Sequence, residues 1–205
     1  MKLYYAPGAC SLAVHIVLRE TGARFDAVKV DLAKHTLPDG SSYFDVSPRG
    51  YVPLMQLDDG SRHTEAASLL QYLADLAPGR PLIGEPGTAR RLAVVEWLTF
   101  VSTELHKTFS PWLWHKETAE STKKAAKDKL ALRFAELDRV LATREFLAGD
   151  YSVADAYAFT IVNWSHFTGI GLKPYPSLAA FQDRIAARPA VAAALRAEGV
   201  LRQAA

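Results

Sequence analysis

One cysteine, Cys10, is all the thiol this chain of 205 residues carries. That excludes an internal disulfide and a multi-cysteine zinc site, and it suits a reducing compartment. Net charge is equally thin at +2, so there is no strong positive field to draw in nucleic-acid phosphates. Long apolar runs are also missing: the stretch from Ala154 to Ile161 is broken by Asp155 and Thr160 and falls well short of a membrane span. The opening Met1-Lys2-Leu3-Tyr4-Tyr5 has no extended apolar core followed by a small-residue cleavage site, so it reads as mature sequence and the cytoplasm is the expected location. His15, His63, His115 and His166 show no metal spacing with carboxylates or the cysteine, so no metal is expected. Neither internal repeats nor low-complexity tracts stand out. What is present, 49% hydrophobic and 22% charged residues, is the composition of a soluble globular protein with one large core or two small ones. Small molecules are its expected partners.

Residues 1 to 77 alternate strand and helix signals. Lys2 to Ala6 reads as a strand, Ser11 to Thr21 as a helix with an apolar stripe and a polar flank (Leu12, His15, Ile16, Arg19, Glu20), and Phe25 to Leu32 as a second strand. Gly22 is placed to end the helix. A polar loop from Lys34 to Ser42 leads through an irregular segment to Pro48-Arg49-Gly50. Val52 to Leu57, Asp58-Asp59-Gly60 and Ser61 to Thr64 predict a β-hairpin, since Asp-Gly supplies the positive φ angles of a tight turn. Pro53 at the start of that strand removes a ladder donor, which fits an edge or a cis bond. From Glu65 onward Ala66, Leu69, Leu70, Leu73 and Leu76 recur at helical spacing.

Residues 78–87 concentrate the breakers Pro78, Gly79, Pro81, Gly84, Pro86 and Gly87, and mark a linker between a domain over 1–77 and another over 88–205. Every long segment beyond it has helical period: 88–109, 119–143, 153–167, 177–187 and 190–198. Ser152-Val153-Ala154-Asp155 is a capping box, which makes Asp155 structural and fixes the start of the helix expected at the centre of this domain. Lys123, Lys124, Lys127 and Lys129 read as the solvated face of a helix whose core side is Leu130, Phe134, Leu137 and Leu141.

Two places carry chemistry. Cys10 follows a Pro7-Gly8 turn and stands at a helix start, where unpaired amide N–H groups favour negative charge; a thiol there can have its pKa lowered from about 8.5 towards neutrality, or can equally be a small buried hydrophobe. The helix over 88–109 has an apolar side (Val94, Trp97, Leu98, Val101, Leu105, Phe109) and, opposite, Thr99, Ser102, Thr103, His106 and Ser110 with Lys107 beside them. Solvated helix faces ordinarily use Glu, Lys and Arg, so small hydroxyls around a histidine suggest either a lined cleft or a packed helix partner. The aromatic run Phe109-Ser110-Pro111-Trp112-Leu113-Trp114 divides in the same way between a hydrophobic pocket and core packing.

With these residues assembled, the chain resembles a glutathione S-transferase of the bacterial beta class over almost its whole length. The marks are Tyr4 to Ser11, Val46-Ser47-Pro48-Arg49-Gly50-Tyr51-Val52-Pro53, Leu57-Asp58-Asp59-Gly60, Thr64-Glu65, Gln71 to Asp75, Thr103-Glu104-Leu105-His106-Lys107 and Ser152 to Tyr157. The resemblance implies an α/β thioredoxin-like N-terminal domain followed by an all-α C-terminal domain, and a homodimer that uses glutathione as co-substrate on small hydrophobic electrophiles, without nucleic acid or membrane as partner. It assigns Cys10 and His106 to catalysis. To glutathione binding it assigns Ser11, His35, Val52, a cis Pro53, Glu65 for the γ-glutamyl amino group, the Ala66 N–H for its carboxylate, Thr103 and Lys107. Phe109, Trp112 and Trp114 would line the electrophile pocket. Three positions depart from the pattern: His35 stands where beta-class members usually carry lysine, Ala66 where serine is widespread, and Thr99 where asparagine is frequent. Besides conjugation, thiol–disulfide or dehalogenating chemistry at Cys10, and a non-catalytic interaction protein of the same fold, stay open.

Overall fold

The computed structural model describes residues 1–200 and divides into two compact units, one made of Met1–Arg80 together with the chain from Arg188 onward, the other of Pro81–Ala187. The last five residues of the 88–205 segment lie outside the described residues.

In the first unit β1 (Lys2–Tyr5) leads into α1 (Ser11–Thr21) and back to β2 (Asp26–Lys29), which pairs parallel with β1. A 3-10 turn at Tyr43–Asp45 precedes β3 (Leu54–Gln56), β4 (Arg62–His63) and α2 (Ala66–Asp75). β3 lies antiparallel to β1 and to β4, so among the described residues the sheet order is β2-β1-β3-β4, the thioredoxin-like arrangement. The hairpin forms at Asp58-Asp59-Gly60, where Gly60 takes φ 85° and Asp59 accepts from the Ser61 N–H and hydroxyl.

Helix α1 corrects the sequence reading. Instead of one apolar stripe with a polar flank it is buried all round, from Ser11 to Leu18, as a helix packed on both sides must be. One neighbour is α2 and the other is α9 (Pro189–Glu198), a helix that the 88–205 reading had grouped with the helical domain. Two of the three polar residues of the expected flank are spent on that second contact. Glu20 takes the Arg188 guanidinium through both oxygens, at 2.7 and 3.3 Å, and His15 takes Glu198.

The second unit is helical: α3 (Ala89–Phe100), a π-helical turn (Val101–His106) and α4 (Lys107–Phe109) run on as one rod, then come α5 (Glu120–Leu141), α6 (Val153–Val162), α7 (Ser165–Thr168) and α8 (Pro176–Ala186). α6 is buried at every position and packs on α3, the π turn and α8. Its start is set by the expected capping box, in which the Ser152 N–H and hydroxyl donate to Asp155 Oδ2 at 2.8 and 2.9 Å. The Leu147 N–H adds a third bond, to Oδ1 at 2.8 Å.

Candidate active site

The turn between β1 and α1 is braced from three directions. Ser11 is fully buried, and its hydroxyl both accepts from the Ala6 N–H and donates to the Ala6 carbonyl. The Ala9 N–H closes onto Ala6 at 3.1 Å, and the Gly8 N–H donates to Glu198 at 2.9 Å. Gly8 sits at φ 70°, a conformation a side chain strains, with Val200 standing 3.6 Å from where a Cβ would be. Ser11 therefore closes the turn, and its hydroxyl is committed to Ala6.

Cys10 follows in helical geometry, 8% exposed, with its Sγ 3.2 Å from the Val52 carbonyl. An oxygen acceptor requires the sulfur to donate, so this contact holds the neutral thiol; a thiolate would meet the carbonyl dipole head on. The helix-start amides do less than the sequence suggested, because the Leu12 and Ala13 N–H groups are engaged by the carbonyls of Ala9 and Cys10. Val52-Pro53 is cis.

At the head of α2, Glu65 lies at φ 68° and ψ 107°, a strained backbone for a residue with a side chain, of the kind concentrated at binding sites. Its carbonyl takes the Ser68 and Leu69 N–H groups, which leaves the Ala66 and Ala67 N–H groups at the helix start without an i−4 carbonyl. Such N–H groups, at the positive end of the helix dipole, suit a carboxylate. The Glu65 side chain is 68% exposed and meets an equally exposed Arg49 at 3.4 Å, a contact worth little in water. His35, expected beside these groups, is instead wedged into its own loop. Its ring stacks on Phe44 at 4.5 Å between centroids, and it fits only because Gly50 has no Cβ, which would fall 2.8 Å from Nδ1.

In the second unit the π turn ends at His106, whose Nδ1 lies 2.7 Å from the Tyr157 hydroxyl. The imidazole meets the rings of Tyr157 and Trp164 edge to face, at 5.9 and 5.1 Å between centroids. Burial, with the Lys107 charge second, pushes the His106 pKa down to about 4, so the ring is neutral near pH 7. The hydroxyl stripe has a local explanation. Of its members, Thr99 and Thr103 donate back to the carbonyls of Val95 and Thr99, which satisfies them within the helix and argues against the lined-cleft reading for those two groups; Thr108, outside the stripe, does the same to Glu104. Thr103 and Lys107 are exposed. Glu104 pins the π turn to α5 through Arg133 at 2.7 Å and Lys129 at 3.2 Å, bonds that hold its carboxyl below the usual range.

Of the expected pocket residues, Phe109 belongs to the core: it is fully buried against Phe134 and Trp164. Its place at the end of the apolar side of the rod gives it that role. Trp112 and Trp114 are 47% and 43% exposed, the latter with its ring edge to Trp164 at 5.6 Å. The structure thus brings Cys10 to Val52 in one unit and, in the other, both His106 and Trp114 to the Trp164 ring. The sequence reading missed the two groups that hold His106, Tyr157 as a polar partner and Trp164; the available signal was a phenol in an alanine-rich helix whose other polar residues are Asp155 and Thr160. Among the described residues no cluster of three His, Cys, Asp or Glu side chains could hold a metal, and no helix is long and apolar enough to cross a membrane.

Comparison with known proteins bears on the whole chain. The family models described as glutathione S-transferase, N-terminal domain, and glutathione S-transferase, C-terminal domain, match residues 8–76 and 100–189. The glutathione S-transferase GstA of Escherichia coli O157:H7 is 42% identical over 201 residues, which is 98% of this chain and all of that one. A sphingomonad glutathione S-transferase complexed with glutathione superposes with a TM-score of 0.93 at 43% identity, covering 98% of this chain and 100% of the other. The bacterial beta class glutathione S-transferase of Sphingomonas chungbukensis gives 0.93 at 44%, with the same coverage. With both halves matched in order and the likeness running end to end, the chain belongs to the glutathione S-transferase family, in its bacterial beta class.

Proposed function

We propose that the protein is a glutathione transferase that activates the glutathione thiol for attack on small hydrophobic electrophiles. Glutathione supplies the nucleophile: its thiol proton leaves to solvent, its sulfur forms a bond to an electrophilic carbon, and the leaving group departs from that carbon with the bonding electron pair. In this reading the backbone of Val52, beside Pro53, pairs with the cysteinyl part of glutathione, and the Ala66 N–H with Glu65 receives the γ-glutamyl end. When glutathione binds, Cys10 turns its S–H from the Val52 carbonyl to the glutathione sulfur, and His106, flanked by Thr103 and Lys107, serves the same reaction as a neutral donor. Trp112 and Trp114 offer apolar surface to the electrophile. In this reading Ser11 acts by closing the turn, its hydroxyl being committed to Ala6, and His35 acts through its loop, with its ring packed on Phe44.

The observation that favours conjugation over exchange chemistry at Cys10 itself is the Sγ contact to the Val52 carbonyl, which keeps that sulfur a donor. Calorimetric titration of reduced glutathione at neutral pH is expected to give saturable binding, and Cys10→Ser, whose hydroxyl makes the same bond, is expected to keep conjugating activity on a nitroaryl chloride within about ten-fold, the kinetic worth of one altered hydrogen bond. Near-total loss in that variant would install Cys10 as the nucleophile. Absence of glutathione binding would favour the non-catalytic interaction protein.

We also propose a cytoplasmic homodimer. Tyr51 and Leu92, 65% and 70% exposed, are large apolar side chains that a second copy would cover. Sedimentation equilibrium is expected to return twice the chain mass, and Leu92→Glu to shift it towards the monomer.

A further inference from the structure

We infer that Tyr157 is a positioning residue for His106: its hydroxyl donates to Nδ1, so that the ring proton resides on Nε2 and the histidine works as a hydrogen-bond donor from that nitrogen. The inference rests on the reading of His106 as part of the glutathione site. Its own support is local geometry in the second unit.

The contact of 2.7 Å between Nδ1 and the phenol oxygen is a full hydrogen bond, but it has two senses. Either Nδ1–H donates to the phenol oxygen and Nε2 is left as an acceptor, or the phenol donates and Nε2 keeps the proton. A phenol is a far stronger acid than a neutral imidazole N–H, and an imidazole nitrogen is a far stronger base than a phenol oxygen. The second sense therefore wins. It is also the useful one, because an Nε2 acceptor would repel a thiolate that an Nε2–H donor attracts.

Tyr157 is well built for such a task. Only 1% of it is exposed, and it stands two residues beyond Asp155, in the turn of α6 that the capping box fixes. The edge-to-face Trp164 ring, 5.1 Å from the imidazole between centroids, restricts rotation about Cβ–Cγ. The π turn gives the third constraint, since it sets where on the rod His106 emerges, and Glu104 with Arg133 ties that turn to α5.

Two-bond 15N–1H correlation spectra of the full-length protein, labelled on histidine nitrogen and assigned through His106→Ala, read the tautomer directly. The Nε2–H form is expected for wild-type His106, with population moving to Nδ1–H in Tyr157→Phe. In the same variant kcat is expected to fall about ten-fold, as for one lost neutral hydrogen bond, with the KM for glutathione changed less than two-fold. An Nδ1–H signal in the wild-type protein overturns the inference whether or not Tyr157→Phe folds. An unchanged kcat in Tyr157→Phe, with the tautomer shifted, also overturns it. Undiminished activity in His106→Ala, with Nε2–H observed, is a separate failure: it removes His106 from the reaction and so overturns the role while leaving the tautomer in place.

Discussion

Replacing Asp155 with alanine is expected to lower the melting temperature by about 10 °C. The carboxylate is fully buried and receives the Leu147 N–H, the Ser152 N–H and the Ser152 hydroxyl, so the truncation strands two backbone donors and a hydroxyl inside the core. Each abandoned buried donor costs roughly 1–3 kcal/mol, and about 3–5 kcal/mol in total corresponds to roughly 6–20 °C in a chain of this length. Asp155→Asn should recover only part, because the amide turns an N–H towards a donor. A thermal scan of both variants that stayed within about 2 °C of wild type would refute this account of α6.

The same carboxyl gives a pH signature. Burial pushes its pKa up from 3.8 to about 6, against the pull of its hydrogen bonds, so the unfolded chain releases this proton first and the contribution of Asp155 to stability declines as pH rises from about 4 to 6. His106 has the opposite sign. Its folded value near 4 lies below the ordinary 6.5, so the unfolded chain takes up the proton first and stability is lost as pH falls through that interval. In the wild type the two slopes oppose each other over nearly the same window. Asp155→Asn removes one of them, and the urea midpoint of that variant should rise more steeply between pH 4 and 6.5 than that of the parent.

The second large effect is expected at Glu198. Its side chain is buried and accepts from the Gly8 N–H at 2.9 Å and from His15 Nδ1 at 2.8 Å. Arg19 Nε can only donate, and it donates to His15 Nε2 at 3.0 Å. His15 must therefore carry its proton on Nδ1, and the pair is a neutral imidazole donating to a carboxylate. Glu198→Ala takes the acceptor from the buried His15 Nδ1–H and removes the bond to the Gly8 N–H, and is expected to cost about 3–5 kcal/mol. Because Gly8 is two residues before Cys10, the KM for glutathione should rise alongside. Glu198→Gln keeps one acceptor oxygen and should fall between. Urea denaturation together with steady-state kinetics checks both halves; a destabilised Glu198→Ala with unaltered KM would confine the carboxylate to a purely structural role.

Much of this architecture was legible because local signals coincide with it. Gly22 and Asp59-Gly60 mark the end of α1 and the turn of the hairpin, and Ser152 with Asp155 marks the start of α6, each through a backbone requirement that few other residues meet. The failures lie where long-range packing decides. The seven residues from Leu12 to Leu18 hold six apolar side chains around His15, and that density was the visible sign of a helix covered on both sides; the reading of a polar flank gave His15, Arg19 and Glu20 more weight than the run itself. The helix over 88–109 was found at nearly its full length, but no periodicity separates a π turn from an α-helix across six residues. The end of the long segment over 153–167 divided into α6 and α7 at Asn163 and Trp164 without a proline or glycine to announce the break. For the candidate site, Cys10 and His106 stand out through local signals, Val52 and Glu65 only through the family resemblance, and the hydrogen-bond senses that decide their chemistry need atomic positions.

The pairing of α9 with α1 sets an order of events during synthesis. A nascent chain presents β1 and α1 first, and then more than a hundred residues of the helical unit, residues 81–187, leave the ribosome before the segment that receives His15, Glu20 and the Gly8 amide has been made. The helical unit, whose own contacts all lie within one uninterrupted stretch, has what it needs to fold in that interval. The Cys10 turn does not, and it becomes braced on all sides only after Glu198 arrives from 190 residues downstream.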